Sequence, residues 1–268
     1  MRFWLALLIW AIALPANAAL LDIQGHPLPK RDYHRIISLA PSNTELLYAI
    51  GWGNRLVGVC DSCDYPPAAT KKPQVGGAET LDVERMVALK PDLILSVQLN
   101  NPALNQVSEL TGAPVVVLNS NSVDGIARNA DELSEVLGPQ GHVFARRFRQ
   151  AIARIKPYPR KLKMFYLVWD RPLMTAGTGT YIDDLIRLAG GTNVAKVHGY
   201  TSYSDEALLM AKPDVLIYST NQARAAKALQ ARLHIPIIGL PADLVSRPGP
   251  RVPQALRLLV KDLFATFK

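Results

Sequence analysis

The strongest apolar pattern in the chain runs through Pro139–Lys156, PQGHVFARRFRQAIARIK. Phe144, Phe148, Ile152 and Ile155 recur at i, i+4, i+8 and i+11, one stripe of a single helix. Arg146, Arg147, Arg149 and Arg154 flank that stripe as its solvated side. Gly138-Pro139 opens the helix and Pro157-Tyr158-Pro159 closes it. At about 1.5 Å per residue it runs roughly 27 Å, the width of one small lobe. Similar text stands on either side. Glu84–Leu95 reads ERMVALKPDLIL and Glu206–Ile217 reads EALLMAKPDVLI. Each passes from Glu through a helical stretch to Lys-Pro-Asp and an apolar strand. A further strand opening on proline follows each copy, Pro114–Leu118 and Pro236–Leu240. An internal repeat at this scale predicts two lobes of one design, residues 19–137 and 159–268, joined by a helix over residues 138–158.

The remaining periodicity fits parallel α/β lobes. Short apolar runs at Arg35–Leu39, Leu56–Val59, Leu93–Val97 and Val115–Leu118 alternate with helical stretches at Glu45–Ile50, Asp82–Leu89, Pro102–Thr111 and Val123–Leu137. Ser42 and Glu45 have capping-box spacing at the first helix. Beyond the central helix, Lys163–Trp169 is a strand, Tyr181–Ala189 a helix, and the chain closes on a helix over Pro253–Phe267. Asp170–Pro172, Thr175–Thr180 and Val197–Tyr203 read as loops.

Composition changes the picture at the N-terminus. The 268 residues are 49% hydrophobic and 19% charged, enough for two cores. Met1-Arg2, the apolar run Phe3–Leu14 and Ala16-Asn17-Ala18 form a secretory signal peptide, residues 1–18, too short to span a membrane. The net charge of +8 suits anionic ligands or a membrane face, and equally a soluble protein that is merely basic. Neither aromatic interleaving nor zinc spacing accompanies the basic residues, so nucleic acid is not a partner. Cys60 and Cys63 stand in Cys-Asp-Ser-Cys. In an oxidising compartment they could pair, or serve as a redox motif. The latter needs a helix starting at the first cysteine, and Asp64-Tyr65-Pro66-Pro67 forbids one there.

Ligands of open α/β sheets bind beyond the carboxyl ends of the strands. For two facing lobes the candidates are Pro41, Ser42 and Asn43; Cys60 to Tyr65, including Cys63; Trp169 to Arg171; Thr178 to Tyr181; Tyr200 to Tyr203; and Asp243 to Arg247. Aromatics and short polar groups of this kind suit a large, flat or polar organic molecule. Catalytic patterns are weak. The histidines show no metal spacing, and neither a nucleophile elbow nor a phosphate loop occurs. Asp183-Asp184, one turn into a helix, reads as dipole compensation. Glu84 and Glu206 open the repeated helices. They either compensate dipoles in the same way, or form a pair of carboxylates for a two-subunit partner with basic pockets.

RIISLAPSNTELLYAIG, CDYPP, LDVERMVALKPDLIL, MTAGTGTYIDDLIRLAGGTNVA and DEALLMAKPDVLI, in that order, resemble the periplasmic binding proteins of ABC importers for cobalamin and iron chelates. The resemblance runs from about Arg35 to Leu263. It implies two Rossmann-like α/β lobes bridged by one rigid helix, a cargo held between them without chemical change, and little closure. It also implies a monomer that delivers cargo to a permease dimer with its ATPase, docking through Glu84 and Glu206. No resident cofactor is implied. Pro41, Ser42 and Asn43 match the family's first loop, and Asp243 and Arg247 match residues near the corrin in its cobalamin binders. Tyr200 stands where those binders have a tryptophan. Ser62 and Ala78 depart from an aromatic pair over the ring, and the cysteines are placed differently from the family's disulfide. Cys63, Tyr65 and Trp169 are the candidates to supply the missing contacts. Cobalamin or a related corrinoid is the leading ligand, and heme or a ferric siderophore the alternative. A secreted thiol–disulfide oxidoreductase using Cys60 and Cys63 is the alternative from another class.

Overall fold

A computed structural model describes residues 20–77, 80–97 and 101–267; the signal peptide and Ala78 lie outside the described residues. The first lobe runs β1 (Ile36–Ser38), α1 (Pro41–Ala49), β2 (Leu56–Val59), α2 (Val83–Ala88), β3 (Leu93–Ser96), α3 (Pro102–Thr111) and β4 (Val115–Val117). Its strands pair in the order β2-β1-β3-β4, all parallel. The chain then passes through α4 (Val123–Leu137) and α5 (Gln140–Ala153). The second lobe runs β5 (Lys163–Asp170), β6 (Leu173–Ala176), α6 (Tyr181–Leu188), β7 (Thr192–Asn193), β8 (Tyr200–Ser202), α7 (Asp205–Ala211), β9 (Val215–Ser219), α8 (Ala223–Leu233), β10 (Ile237–Leu240), α9 (Ala242–Val245) and α10 (Val252–Thr266).

The repeated Lys-Pro-Asp does the same job twice. Lys90 and Lys212 both take a left-handed φ of 46°, because the proline that follows disfavours the right-handed helical region and ends the helix. Each aspartate then seizes the start of the neighbouring strand. Asp92 accepts from the backbone N–H of His34 and Arg35 at 2.7 and 2.9 Å, and Asp214 from Lys163 N–H at 2.7 Å. The two lobes are thus one design at the level of hydrogen bonds.

The second sheet is mixed at one edge. Its order is β10-β9-β5-β6-β8, with β7 also against β5. β10, β9, β5 and β7 are parallel; β6 and β8 pair antiparallel. The stretches holding β6 and β8 read as loops in the sequence, since each is only three or four residues. α1 also begins earlier than its pattern suggests. Pro41 occupies its first turn and Ala40 caps it without a side-chain bond, so no Ser42–Glu45 capping box forms. Proline supplies the preset φ and lacks the N–H that a cap would satisfy.

Alternate residues of each strand enter different cores. Ile37, Ile94 and Val115 pack under α2 and α3 with Met86, Leu104 and Val107. Phe165, Leu167 and Leu216 pack under α7 and α8 with Leu208 and Leu229. The other strand faces share a third cluster. It runs from Ile36, Leu47 and Leu95 through Ile126, Leu133 and Phe148 to Met164, Leu185, Leu256 and Leu259. One apolar core therefore crosses from lobe to lobe.

α4 and α5 form an antiparallel pair along that seam. The Phe144, Phe148 and Ile152 stripe faces the shared core as its spacing requires. Arg149 turns to α4 and donates to Asp124 at 2.8 Å and Asp131 at 2.7 Å. α5 ends at Ala153, capped by Arg154, ahead of Pro157. Among the described residues no helix is long and apolar enough to cross a membrane.

Candidate functional site

The carboxyl ends of both sheets converge on a cavity of about 460 Å³. From the first lobe Ala40, Pro41 and Ser42 follow β1, Val97 follows β3, and Leu118 to Asn121 follow β4. From the second come Tyr181 at the start of α6, Tyr200 on β8, and Val245 to Pro248 between α9 and α10. A second polar recess of about 420 Å³ shares Val117, Asn119 and Asn121 and continues toward Glu132, Asp183 and Asp184.

Of the residues picked out in the sequence, Pro41, Ser42, Tyr181, Tyr200 and Arg247 line the cavity, together with Val245 and Ser246 of the Asp243 to Arg247 run. Asn43 lies beneath it, buried, its Nδ2 donating to Ser96 O at 3.1 Å and so tying the start of α1 to β3. Asp243 and Tyr65 do not line the cavity. Asp243 has an oxygen 3.4 Å from Arg247, and the Tyr65 ring lies 4.1 Å from the Arg251 guanidinium. Trp169 is half exposed at the end of β5, where its Nε1 donates to Arg171 O at 3.0 Å; it does not line the cavity. Cys63 does not either. It is bonded to Cys60, buried, and accepts from Thr44 Oγ1 at 3.2 Å. Glu84 and Glu206 are exposed in the first turns of α2 and α7.

The sequence reading omitted Val97, Asn119 to Asn121, and Pro248 beside Arg247. Asn119-Ser-Asn-Ser122 directly follows an apolar strand, so the rule that chose the other loops could have found it. The loop is pinned. Asn119 Oδ1 accepts from Asn121 N–H at 2.9 Å, and Asn129 Nδ2 donates to Ser120 Oγ at 2.9 Å.

A charge cluster ties the lobes at one end of the cavity. Glu45, on α1 and 2% exposed, receives two hydrogen bonds from Arg251 at the start of α10, one of them at 2.8 Å. Asp64, in the loop after β2, receives both terminal nitrogens of Arg247. Those hydrogen bonds hold the Asp64 carboxyl below its ordinary pKa and raise that of Arg247. At the opposite end, Asp184 Oδ2 accepts from Val123 N–H at 3.0 Å, so this carboxylate also caps the N-terminus of α4. The cavity between these ties presents Ser42, Asn119, Asn121, Tyr200, Ser246 and Arg247, a donor-rich surface for a ligand bearing acceptors.

Residues 36–237 match the family model described as periplasmic binding protein. The vitamin B12-binding protein of Yersinia pestis is 34% identical over 263 residues, 93% of each chain. The periplasmic vitamin B12-binding protein of Vibrio cholerae superposes with a TM-score of 0.73 at 30% identity, covering 88% of this chain and 98% of that one. A periplasmic heme-binding protein from Roseiflexus superposes at 0.75 with 24% identity, over 88% and 99% of the chains, and so shares the fold. With its two lobes, its cleft at the strand ends and this match, the chain belongs to the periplasmic binding protein family.

Proposed function

We propose that this protein captures cobalamin or a related corrinoid in the cleft between its lobes and delivers it to the permease dimer of an ABC importer driven by a cytoplasmic ATPase. It works as a monomer in the periplasm, after export and removal of residues 1–18. The supporting observation is the donor-rich cavity between the strand ends, in a chain resembling vitamin B12-binding proteins along nearly its whole length. A cavity of about 460 Å³ is of the size that encloses a drug-sized molecule. A macrocycle therefore enters by one edge, with the rest standing in the open mouth. Amide groups around a corrin offer acceptors to the donors of the cleft. Glu84 and Glu206, exposed at equivalent places in the two repeats, are the residues that meet basic pockets on the permease subunits.

Heme is the second reading, favoured by the phenols of Tyr181 and Tyr200 and by Arg247 in the same cavity, a set that also suits a flat ring with carboxylates. A thiol–disulfide enzyme fits less well. Exchange requires attack on an accessible sulfur, and Cys60 and Cys63 are 2% and 3% exposed. Gel filtration of the purified protein with cyanocobalamin, hemin or a ferric siderophore decides among the cargoes. Red colour is expected to co-elute with protein in the cyanocobalamin run. Co-elution of hemin alone would replace the corrinoid reading with the heme one.

A further inference from the structure

Tyr181 is a buried phenol at the wall of the cavity. It is 3% exposed, and its hydroxyl has no hydrogen-bond partner among the described residues. A buried donor left unsatisfied is costly, so such groups in folded proteins call for an explanation. Two other buried hydroxyls share this condition, Tyr48 and Ser219, but neither lines the cavity. Tyr181 does. A ligand filling the cavity therefore lies against Tyr181.

Its placement is fixed from beneath. Tyr181 opens α6 directly after the cap Thr180, whose Oγ1 accepts from Asp183 N–H at 3.2 Å and donates to Gly177 O at 2.7 Å. A side chain at Gly177 would lie 1.9 Å from Val197 O, so that loop is packed onto its neighbour with no slack. Two further phenols, Tyr166 and Tyr200, lie close enough to bear on Tyr181 electrostatically. Burial, and then those two neighbours, push its pKa well above the ordinary tyrosine value. At neutral pH the group is an O–H able to donate, not a phenolate.

We propose that the Tyr181 hydroxyl is a specificity-determining donor. It stays unpaired in the empty protein and is completed by an acceptor oxygen of the cargo, an amide carbonyl or a carboxylate. A site built with an unpaired donor rejects cargoes that bring no acceptor, because they leave it buried and unsatisfied. The pinned loop means that little ordering is needed on binding. This inference rests on the reading of the cleft as the cargo site.

The test replaces Tyr181→Phe, which keeps the ring and removes the oxygen, with Tyr48→Phe as the same change away from the cleft. Binding of cyanocobalamin is measured by tryptophan fluorescence or calorimetry, and thermal unfolding without ligand. Tyr181→Phe is expected to bind about three- to tenfold more weakly, with a Tm unchanged or raised, while Tyr48→Phe binds as wild type. Wild-type affinity in Tyr181→Phe, or a lowered Tm showing that the hydroxyl already had a partner, overturns the proposal. If the wild type takes hemin and not cyanocobalamin, the corrinoid reading fails and the same comparison made with hemin judges Tyr181. If it takes neither, the cleft reading fails, and a lowered Tm would overturn the unpaired hydroxyl as well.

Discussion

Glu45 and Arg251 show how much a single residue pair can carry. The carboxylate is 2% exposed and the guanidinium 18%, so each is expensive to bury alone and each satisfies the other. Arg251→Ala leaves the buried carboxylate without its two hydrogen bonds and with only Arg247, 3.8 Å away and already held by Asp64, as countercharge. Urea unfolding is expected to show a loss of about 3 kcal/mol, the low end for a broken buried pair because Arg247 remains near, still more than the 0–1 kcal/mol typical of an exposed ion pair. Arg251→Lys is expected to recover only part of it, because an ammonium cannot make the two-pronged contact. Nothing in the sequence announces this pair. The partners lie 206 positions apart, and Glu45 looks there like an ordinary helix-start residue. Pro41, Ser42 and Arg247 were legible because each follows a recognisable strand or matches a family motif. Tyr181 was picked out by the same rule, but its missing partner is visible only in three dimensions.

At the scale of elements, the tightest contact is the crossing of α4 and α5. A Cβ added at Gly141 would stand 2.1 Å from Ala130 O and 2.3 Å from Ser134 Oγ. Glycine to alanine within a helix ordinarily gains about 1 kcal/mol. Here the obstacle is partner backbone, which yields poorly, and overpacking costs about 1–3 kcal/mol. Gly141→Ala is therefore expected to lower the Tm despite its better helix propensity, and the corresponding change at an open helix surface is expected to raise it. Clear punctuation made α3 and α4 readable to the residue, whereas α5, expected over residues 138–158, spans only Gln140–Ala153. α3 begins on Pro102 and ends at Gly112, and α4 begins after Ser122 and ends at Gly138. β6 and β8 were not readable, because their identity comes from antiparallel pairing with each other and with β5 and not from a run of their own. The start of α1 was placed four residues late because two helix-start signals, a proline and a capping box, competed over the same stretch.

At the scale of the molecule, the repeat gives two lobes with matching surfaces, and Glu84 and Glu206 stand in the first turns of matching helices. If they engage basic pockets on two permease subunits, charge reversal should leave cargo binding alone and damage delivery. Glu84→Lys and Glu206→Lys are each expected to bind cyanocobalamin as wild type does. Each is also expected to weaken association with the reconstituted importer by about tenfold or more at low salt, since like charges then face each other. Unchanged association in both variants would remove the docking role. The two-lobe plan was visible in the sequence because Lys-Pro-Asp recurs with the same chemistry on either side of the helix. The closeness of the lobes was not, because the groups that tie them come from loops of different lobes.

The apolar cluster running from Ile36 and Leu95 to Leu256 and Leu259 has a bearing on how such a molecule can diversify. Neither half has a finished inner surface of its own, so a hybrid assembled from the halves of two relatives would expose mismatched hydrophobic faces along the join. New cargo preferences are therefore more cheaply reached by rewriting the short loops at the strand tips, which can change while the seam is left as it is.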